Sequence, residues 1–205
     1  MSILFARHGE TDWNIANRLQ GTTDIPLNEN GKAQARLLCG NLEKDHRNIC
    51  RICSSRQKRA LETAQAVGSQ YHVPVQVIPG LEEMNFGVFE GHTWDEIERL
   101  YYDDVRKWES DKRYNRPPEG ESCQELLERL FSALDRIMEE AGDEIDAGKD
   151  ILVLTHGTVL MCLLALKNGL DFATAYLTAR VENGQAIKLE PEELRKTRLK
   201  LYPKR

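Results

Sequence analysis

Ile3-Leu4-Phe5-Ala6-Arg7-His8-Gly9-Glu10-Thr11 is an apolar run that stops at a charged turn carrying a histidine. The run reads as a buried β-strand. It has a counterpart far along the chain, Ile151-Leu152-Val153-Leu154-Thr155-His156-Gly157. That second run is continuously apolar, the pattern of a central parallel strand covered on both faces. Working outward, Ile49–Cys53 and Val73–Ile78 read as further strands, with Pro74 at a tolerated position near the start of the latter. Asn183-Gly184 is a turn signal before a last strand, Ala186 to Leu189. Helical patterns alternate with these strands. Asn28 caps a helix reaching about Glu43, with Ala33, Leu37, Leu38 and Leu42 expected on its buried face. Ser54-Ser55 are expected to open a helix carrying Ala60, Leu61, Ala64 and Val67. Ser122 with Glu125 forms a capping box ahead of a long amphipathic helix through Leu126, Leu130, Leu134 and Ala141. Thr158 to Lys167 reads as another helix. Strands alternating with helices predict an α/β fold with a mostly parallel sheet.

The 205 residues suit one domain spanning 1–205. Residues 92–121 are polar and aromatic, with Trp94, Tyr101, Tyr102, Trp108 and Tyr114, and read as a small cap-like insertion of short helices. The 28 Lys and Arg against 33 Asp and Glu give a net charge of −5, which argues against a general nucleic-acid binder. No apolar run approaches the roughly 20 residues that cross a bilayer, and the first residues lack a basic leader. An odd set of five cysteines is not a secreted disulfide framework. Cys50 and Cys53 have metal-motif spacing, but no second pair completes it, and they read as strand thiols. A reducing, cytoplasmic setting is expected. A homodimer is left open.

Ligands of open α/β sheets bind outside the carboxyl ends of the strands. Arg7, His8, Gly9 and Glu10 follow strand one. Ser54, Ser55, Arg56, Lys58 and Arg59 follow strand two. Glu82 and Glu83 follow strand three, and Thr155, His156 and Gly157 follow the fourth. Two histidines, several arginines and a carboxylate are thus expected on one rim. Arginine's planar fork matches phosphate oxygens. Histidine can be a nucleophile or a proton carrier. A carboxylate beside bound phosphate can carry a proton near neutrality. Together they suit phosphoryl transfer through a phosphohistidine, without a metal. Gly9 and Gly157 are expected either as turn residues or as places where a ligand meets the backbone. His46 and His72 read as surface residues, while His92, after Glu90-Gly91, is a candidate for the pocket's edge.

Arg7-His8-Gly9-Glu10-Thr11 with Trp13, Asn14 and Asn17 resembles the signature of the histidine phosphatase superfamily, which includes the phosphoglycerate mutases. Gln20-Gly21, Ser54-Ser55 with Arg59-Ala60, Leu81 to Gly91, Pro118 to Ser122 and Thr155-His156-Gly157 resemble its later blocks, in order. The resemblance implies a phosphoglycerate mutase-like three-layer αβα sandwich. It implies His8 as the phosphorylated nucleophile, with Arg7, Arg59 and His156 binding the transferring group. Glu83, rather than Glu82, would be the proton donor and then the base. Asn14, Gln20, Gly21, Thr155 and Gly157 would add phosphate contacts. No cofactor and no metal are implied for the phosphatase branch. Arg56 departs from the family pattern and would add positive charge near the pocket. Residues 92–116 lack the adjacent arginines with which the larger mutases hold a bisphosphorylated cofactor. The resemblance therefore favours hydrolysis of a small phosphorylated metabolite. A cofactor-dependent phosphoglycerate mutase (an isomerase) and an inactive phosphate-binding module are the alternatives.

Overall fold

The strands end in register at one rim, and that rim collects the chemistry. In the computed structural model, which describes residues 2–142 and 149–202, five strands form one sheet in the order β3-β2-β4-β1-β5. They are β1 (Ile3–Arg7), β2 (Ile49–Ser54), β3 (Val75–Val77), β4 (Asp150–Thr155) and β5 (Ala186–Leu189). β1, β2, β3 and β4 run parallel, and β5 lies antiparallel against β1. Arg7 is level with Thr155, and Ser54 with Leu154. The ladder continues one residue further, where His8 N–H donates to the Thr155 carbonyl at 3.1 Å and Ser55 N–H to the Leu154 carbonyl at 3.2 Å. β4 is buried at every residue, as its unbroken apolar run predicts.

Alternate residues of the strands face two cores. Leu4, Ala6, Ile52, Leu152 and Leu154 pack against α2 (Glu29–Lys44) and α3 (Lys58–Tyr71) through Leu38, Leu42, Ala64 and Val67. Ile3, Phe5, Ile151 and Val153 pack on the other face against α6 (Cys123–Ala141) and α7 (Gly157–Asn168). The same core takes in α4 (Trp94–Leu100), α5 (Tyr102–Ser110) and Leu194 of α8 (Pro191–Leu199). A short α1 (Asp12–Ile15) follows the first strand. This is the expected three-layer α/β architecture. Ser122 and Glu125 form the expected capping box of α6, with reciprocal bonds of 3.3 and 2.9 Å.

Three local expectations are corrected. The buried face of α2 is Gly31, Ala35, Leu38, Cys39 and Leu42, while Ala33 is exposed and Leu37 is 61% exposed. The small residues decide this: Gly31 lies against the backbone of Glu10, where a Cβ would not fit. Ser54 and Ser55 do not start α3. Ser54 completes β2, and the helix begins at Lys58 after Gln57. β3 is three residues long and starts after Pro74, because Val73 N–H is spent on the Gly68 carbonyl at the end of α3.

Candidate active site

His8 follows β1 and is 2% exposed. Its Nδ1 lies 2.6 Å from the Gly9 carbonyl oxygen, which can only accept, so Nδ1 carries the proton. Burial, and after it the charges of Arg59 and Arg7, hold the His8 pKa well below 6.5. The ring is therefore neutral near pH 7 and Nε2 keeps its lone pair. The loop is pinned by Gly9 N–H donating to Thr63 Oγ1 at 3.0 Å. Gly9 is packed against the chain itself, since a Cβ there would run into the Gly31 backbone. The glycine pair lets the start of α2 dock against this loop.

His156 is fully buried, with its ring centre 5.2 Å from that of His8. Its Nε2 is 2.7 Å from Ser55 Oγ, which itself accepts from Gln57 N–H at 3.2 Å. The arrangement that uses the Ser55 proton has that hydroxyl donating to Nε2, leaving a proton on His156 Nδ1. That atom has no partner. Burial, with Arg59 next, also holds the His156 pKa well below 6.5.

Two arginines, the fully buried Arg59 and the half-buried Arg7, share the feature of an idle Nε. Arg7 donates from its Nη1 to the Val181 carbonyl at 2.9 Å. Arg59 donates to the Thr23 and Gly21 carbonyls, both at 2.8 Å. In each, Nε is buried without an acceptor. Burial is the main force lowering both pKa values, with Glu83 opposing it, and guanidinium stays protonated regardless. Orphaned buried donors are costly. Two of the three belong to Arg7 and Arg59, which line one cavity with the neutral His8 imidazole, while His156 is fully buried and does not line it. Gly157 starts α7 directly beneath the Arg7 guanidinium, 3.1 Å from where a Cβ would stand, so it makes room for an arginine rather than a ligand.

Glu83 is 8% exposed and lines the same cavity as His8, Arg7 and Arg59. Met84 N–H donates to its Oε1 at 2.8 Å, and Thr158 N–H in the first turn of α7 donates to Oε2 at 3.2 Å. Its own N–H is held by Gln57 Oε1 at 2.8 Å. Glu82 turns away. One of its oxygens takes Gly80 N–H at 2.7 Å, and the other is 3.6 Å from Arg56. Arg56 is 79% exposed on its side chain and outside the cavity, so the positive charge expected from it near the pocket is spent on Glu82 at the surface.

Asn14, Gln20, Gly21 and Gly157 also line the cavity. Asn14 Oδ1 is occupied by Thr11 in a capping box. Thr155 does not line it: its hydroxyl is fully buried and donates to the Leu81 carbonyl at 2.8 Å, tying β4 to the segment before Glu83. His92 is likewise outside, with its ring centre 5.9 Å from that of Tyr101 and Nδ1 3.7 Å from Glu96. Several contributors had no functional reading in the sequence, Asn183 being read there only as part of a turn. Asn183 donates to the His8 carbonyl at 3.0 Å, and Val181 holds Arg7. They stand beside β1 because β5 pairs with it, a contact between opposite ends of the chain. Glu90 accepts from the backbone N–H groups of Thr22 and Thr23, at 2.8 and 3.1 Å, and from both hydroxyls. It so fixes the loop whose carbonyls hold Arg59. Its place in Glu90-Gly91 was the only available signal. Among the described residues, no three His, Cys, Asp or Glu side chains gather as a metal site. Nor is any described helix long and apolar enough to cross a membrane.

The fold and this rim define a class. A family model, that of the histidine phosphatase superfamily (branch 1), matches residues 3–202, and the chain belongs to that superfamily. One relative is the probable phosphoglycerate mutase GpmB of Yersinia pestis (strain Pestoides F). It is 33% identical over 193 residues, covering 94% of this chain and 86% of that protein. Among solved structures, a mycobacterial glucosyl-3-phosphoglycerate phosphatase in complex with VO3 superposes with a TM-score of 0.79 at 26% identity, covering 92% of each chain. The alpha-ribazole phosphatase of Shigella flexneri gives 0.76 at 27% identity, over 93% of this chain and 90% of that one.

Proposed function

We propose that the chain hydrolyses a small phosphorylated metabolite through a phosphohistidine on His8. The observation that carries this reading is the Gly9 carbonyl holding the proton on His8 Nδ1, which leaves Nε2 as the free nucleophile between two arginines with idle Nε groups. Nε2 attacks phosphorus while the P–O bond to the alcohol breaks, and Glu83 gives the departing oxygen its proton. Glu83, now a carboxylate, takes a proton from water as that water attacks phosphorus and the P–N bond breaks. Phosphate leaves and neutral His8 returns. Arg7, Arg59 and His156 donate to the phosphoryl oxygens, where positioning and positive charge serve the loose transition state. The cation set is supplied by arginines, so the reaction runs without a metal. The five-cysteine composition supports a reducing, cytoplasmic setting.

The names of the phosphatase structures support hydrolysis. The name of the Yersinia relative supports a mutase, in which the phosphoryl group returns to phosphoglycerate. One experiment separates them. The purified protein, in excess EDTA, is given a panel of phosphorylated metabolites, and both released phosphate and isomerised phosphoglycerate are measured. Hydrolysis predicts free phosphate from at least one metabolite, undiminished by EDTA. Isomerisation without phosphate release, or turnover restored only by added metal, contradicts the proposal.

A further inference from the structure

The cavity continues past the phosphate end along a wall that none of the roles above uses. Trp94 of α4, Trp108 of α5, and Phe172 and Tyr176 from the segment after α7 line it there, and the cavity as a whole, with its His8 end, has a volume of about 860 Å³. Lys112, two residues beyond the end of α5, stands among them. Its ammonium is 4.6 Å from the centre of the Trp108 ring, 5.8 Å from that of Tyr176 and 5.9 Å from that of Trp94. The lysine side chain is only 11% exposed, and lysine is rarely buried unless paired. Its carboxylate neighbour is Glu109, at 3.4 Å on a side chain that is 40% exposed, a contact of the weak surface kind. Beside it, the indole Nε1 of Trp108 is buried with no acceptor, in a residue that is 5% exposed. A largely desolvated cation and a tryptophan that carries an orphaned donor thus share one wall of the cavity.

We infer that this wall binds the alcohol half of the substrate, and that this half combines a flat ring with an anionic group, either a carboxylate or a second phosphate. The inference rests on the phosphomonoesterase reading of His8. The ring packs against the indole and phenol rings. The anionic oxygens accept from the Lys112 ammonium and the Trp108 N–H, a charge-assisted pair of bonds that satisfies both. The arginines and Lys112 then hold two anionic poles joined by a ring. Volume agrees: 860 Å³ lies high in the range of about 300–1,000 Å³ that takes a drug-sized ligand. A three-carbon phosphorylated acid would leave most of the aromatic wall bare.

Three probes test this. Phenyl phosphate has the ring without a second anion. Para-carboxyethylphenyl phosphate adds a carboxylate insulated from the phenolic oxygen, so the two leaving groups are equally basic. Phosphoglycerate has the anion without the ring. The carboxyethyl ester should exceed phenyl phosphate in kcat/KM by about tenfold, the worth of one charged hydrogen bond. Lys112→Gln should bring that ratio to about one, Lys112→Arg should keep most of it, and Trp108→Phe should lower it part-way. The ratio is taken within each variant, so losses of folded protein cancel. Equal kcat/KM for the two aryl esters, or an advantage that survives Lys112→Gln, overturns this inference alone. So does a higher kcat/KM for phosphoglycerate than for the carboxyethyl ester. Release of phosphate from none of the three by a protein that hydrolyses another member of the metabolite panel also overturns this inference alone, whereas release from no phosphomonoester at all overturns the His8 reading and this inference with it.

Discussion

Arg129 should act on catalysis without touching the substrate. It reaches from α6 to the segment that carries Glu83, donating to the Gly80 carbonyl at 2.9 Å, the Glu82 carbonyl at 2.8 Å and the Glu83 carbonyl at 3.0 Å. Glu121 holds it in place, at 3.0 Å from Nε and 2.6 Å from Nη2. Both side chains are about four-fifths buried. Breaking such a buried pair costs about 3–5 kcal/mol, and the partial exposure here reduces that to about 2–3 kcal/mol for Arg129→Met. The larger effect falls on Glu83. A misplacement of about 1 Å at a reacting group costs on the order of 10²-fold. The cost should appear where the acid is needed. Alkyl leaving groups depend on protonation, whereas aryl ones leave well unaided. Single-turnover formation of the phosphoenzyme, well below the variant's melting temperature, should therefore slow about 10²-fold on an alkyl phosphate and only slightly on para-nitrophenyl phosphate. Arg129→Lys should recover part of the loss. Equal slowing on both esters would mean that Arg129 merely supports the fold, and no slowing would refute the clamp.

Glu83→Gln should lower kcat on an alkyl phosphate by about 10²–10⁴-fold and let phosphoenzyme accumulate from an aryl one, while Glu82→Gln, whose carboxylate faces Gly80 and Arg56, should do neither. The reverse pattern in the same single-turnover assay would shift the acid by one residue. The buried histidines set a pH dependence of stability. Unfolded, His8 and His156 titrate near 6.5; folded, both lie well below it. Between those values the unfolded chain binds more protons. Stability is therefore complete above about pH 6.5 and falls as pH drops toward the depressed values. Melting temperatures recorded from about pH 8 to pH 5 should decline below 6.5, and His156→Asn should flatten part of the decline. A flat wild-type profile would contradict neutral buried rings.

Much of this site was legible because its residues sit where strands end. Ile3–Ala6 and Ile151–Leu154 announce buried strands by composition alone, and the residues after them must lie on one rim once the sheet is parallel. What stayed hidden depends on contacts the chain makes at a distance. The face of α2 was misread because Leu37 and Leu38 are adjacent, and spacing favours either. The choice is made by Gly31 meeting the loop that follows β1, which no periodicity contains. Ser55 looked like a helix opener because its type suits a cap, yet its hydroxyl is taken by His156, 101 residues away. Thr155 looked like a phosphate ligand by its neighbours, but strand alternation turns its side chain inward to Leu81. Lys112 carried no signal beyond its charge, because the rings around it come from two helices and a distant loop.

The central claim is a covalent bond between phosphorus and His8 Nε2. Phosphohistidine survives base and is lost in acid. The protein is mixed with an aryl phosphate, quenched into base within a single turnover, and digested. Phosphate is expected on the peptide that contains His8, stable at high pH and released on acidification, with adduct and turnover both absent in His8→Ala. An adduct on any other residue, or normal turnover by His8→Ala, would contradict it.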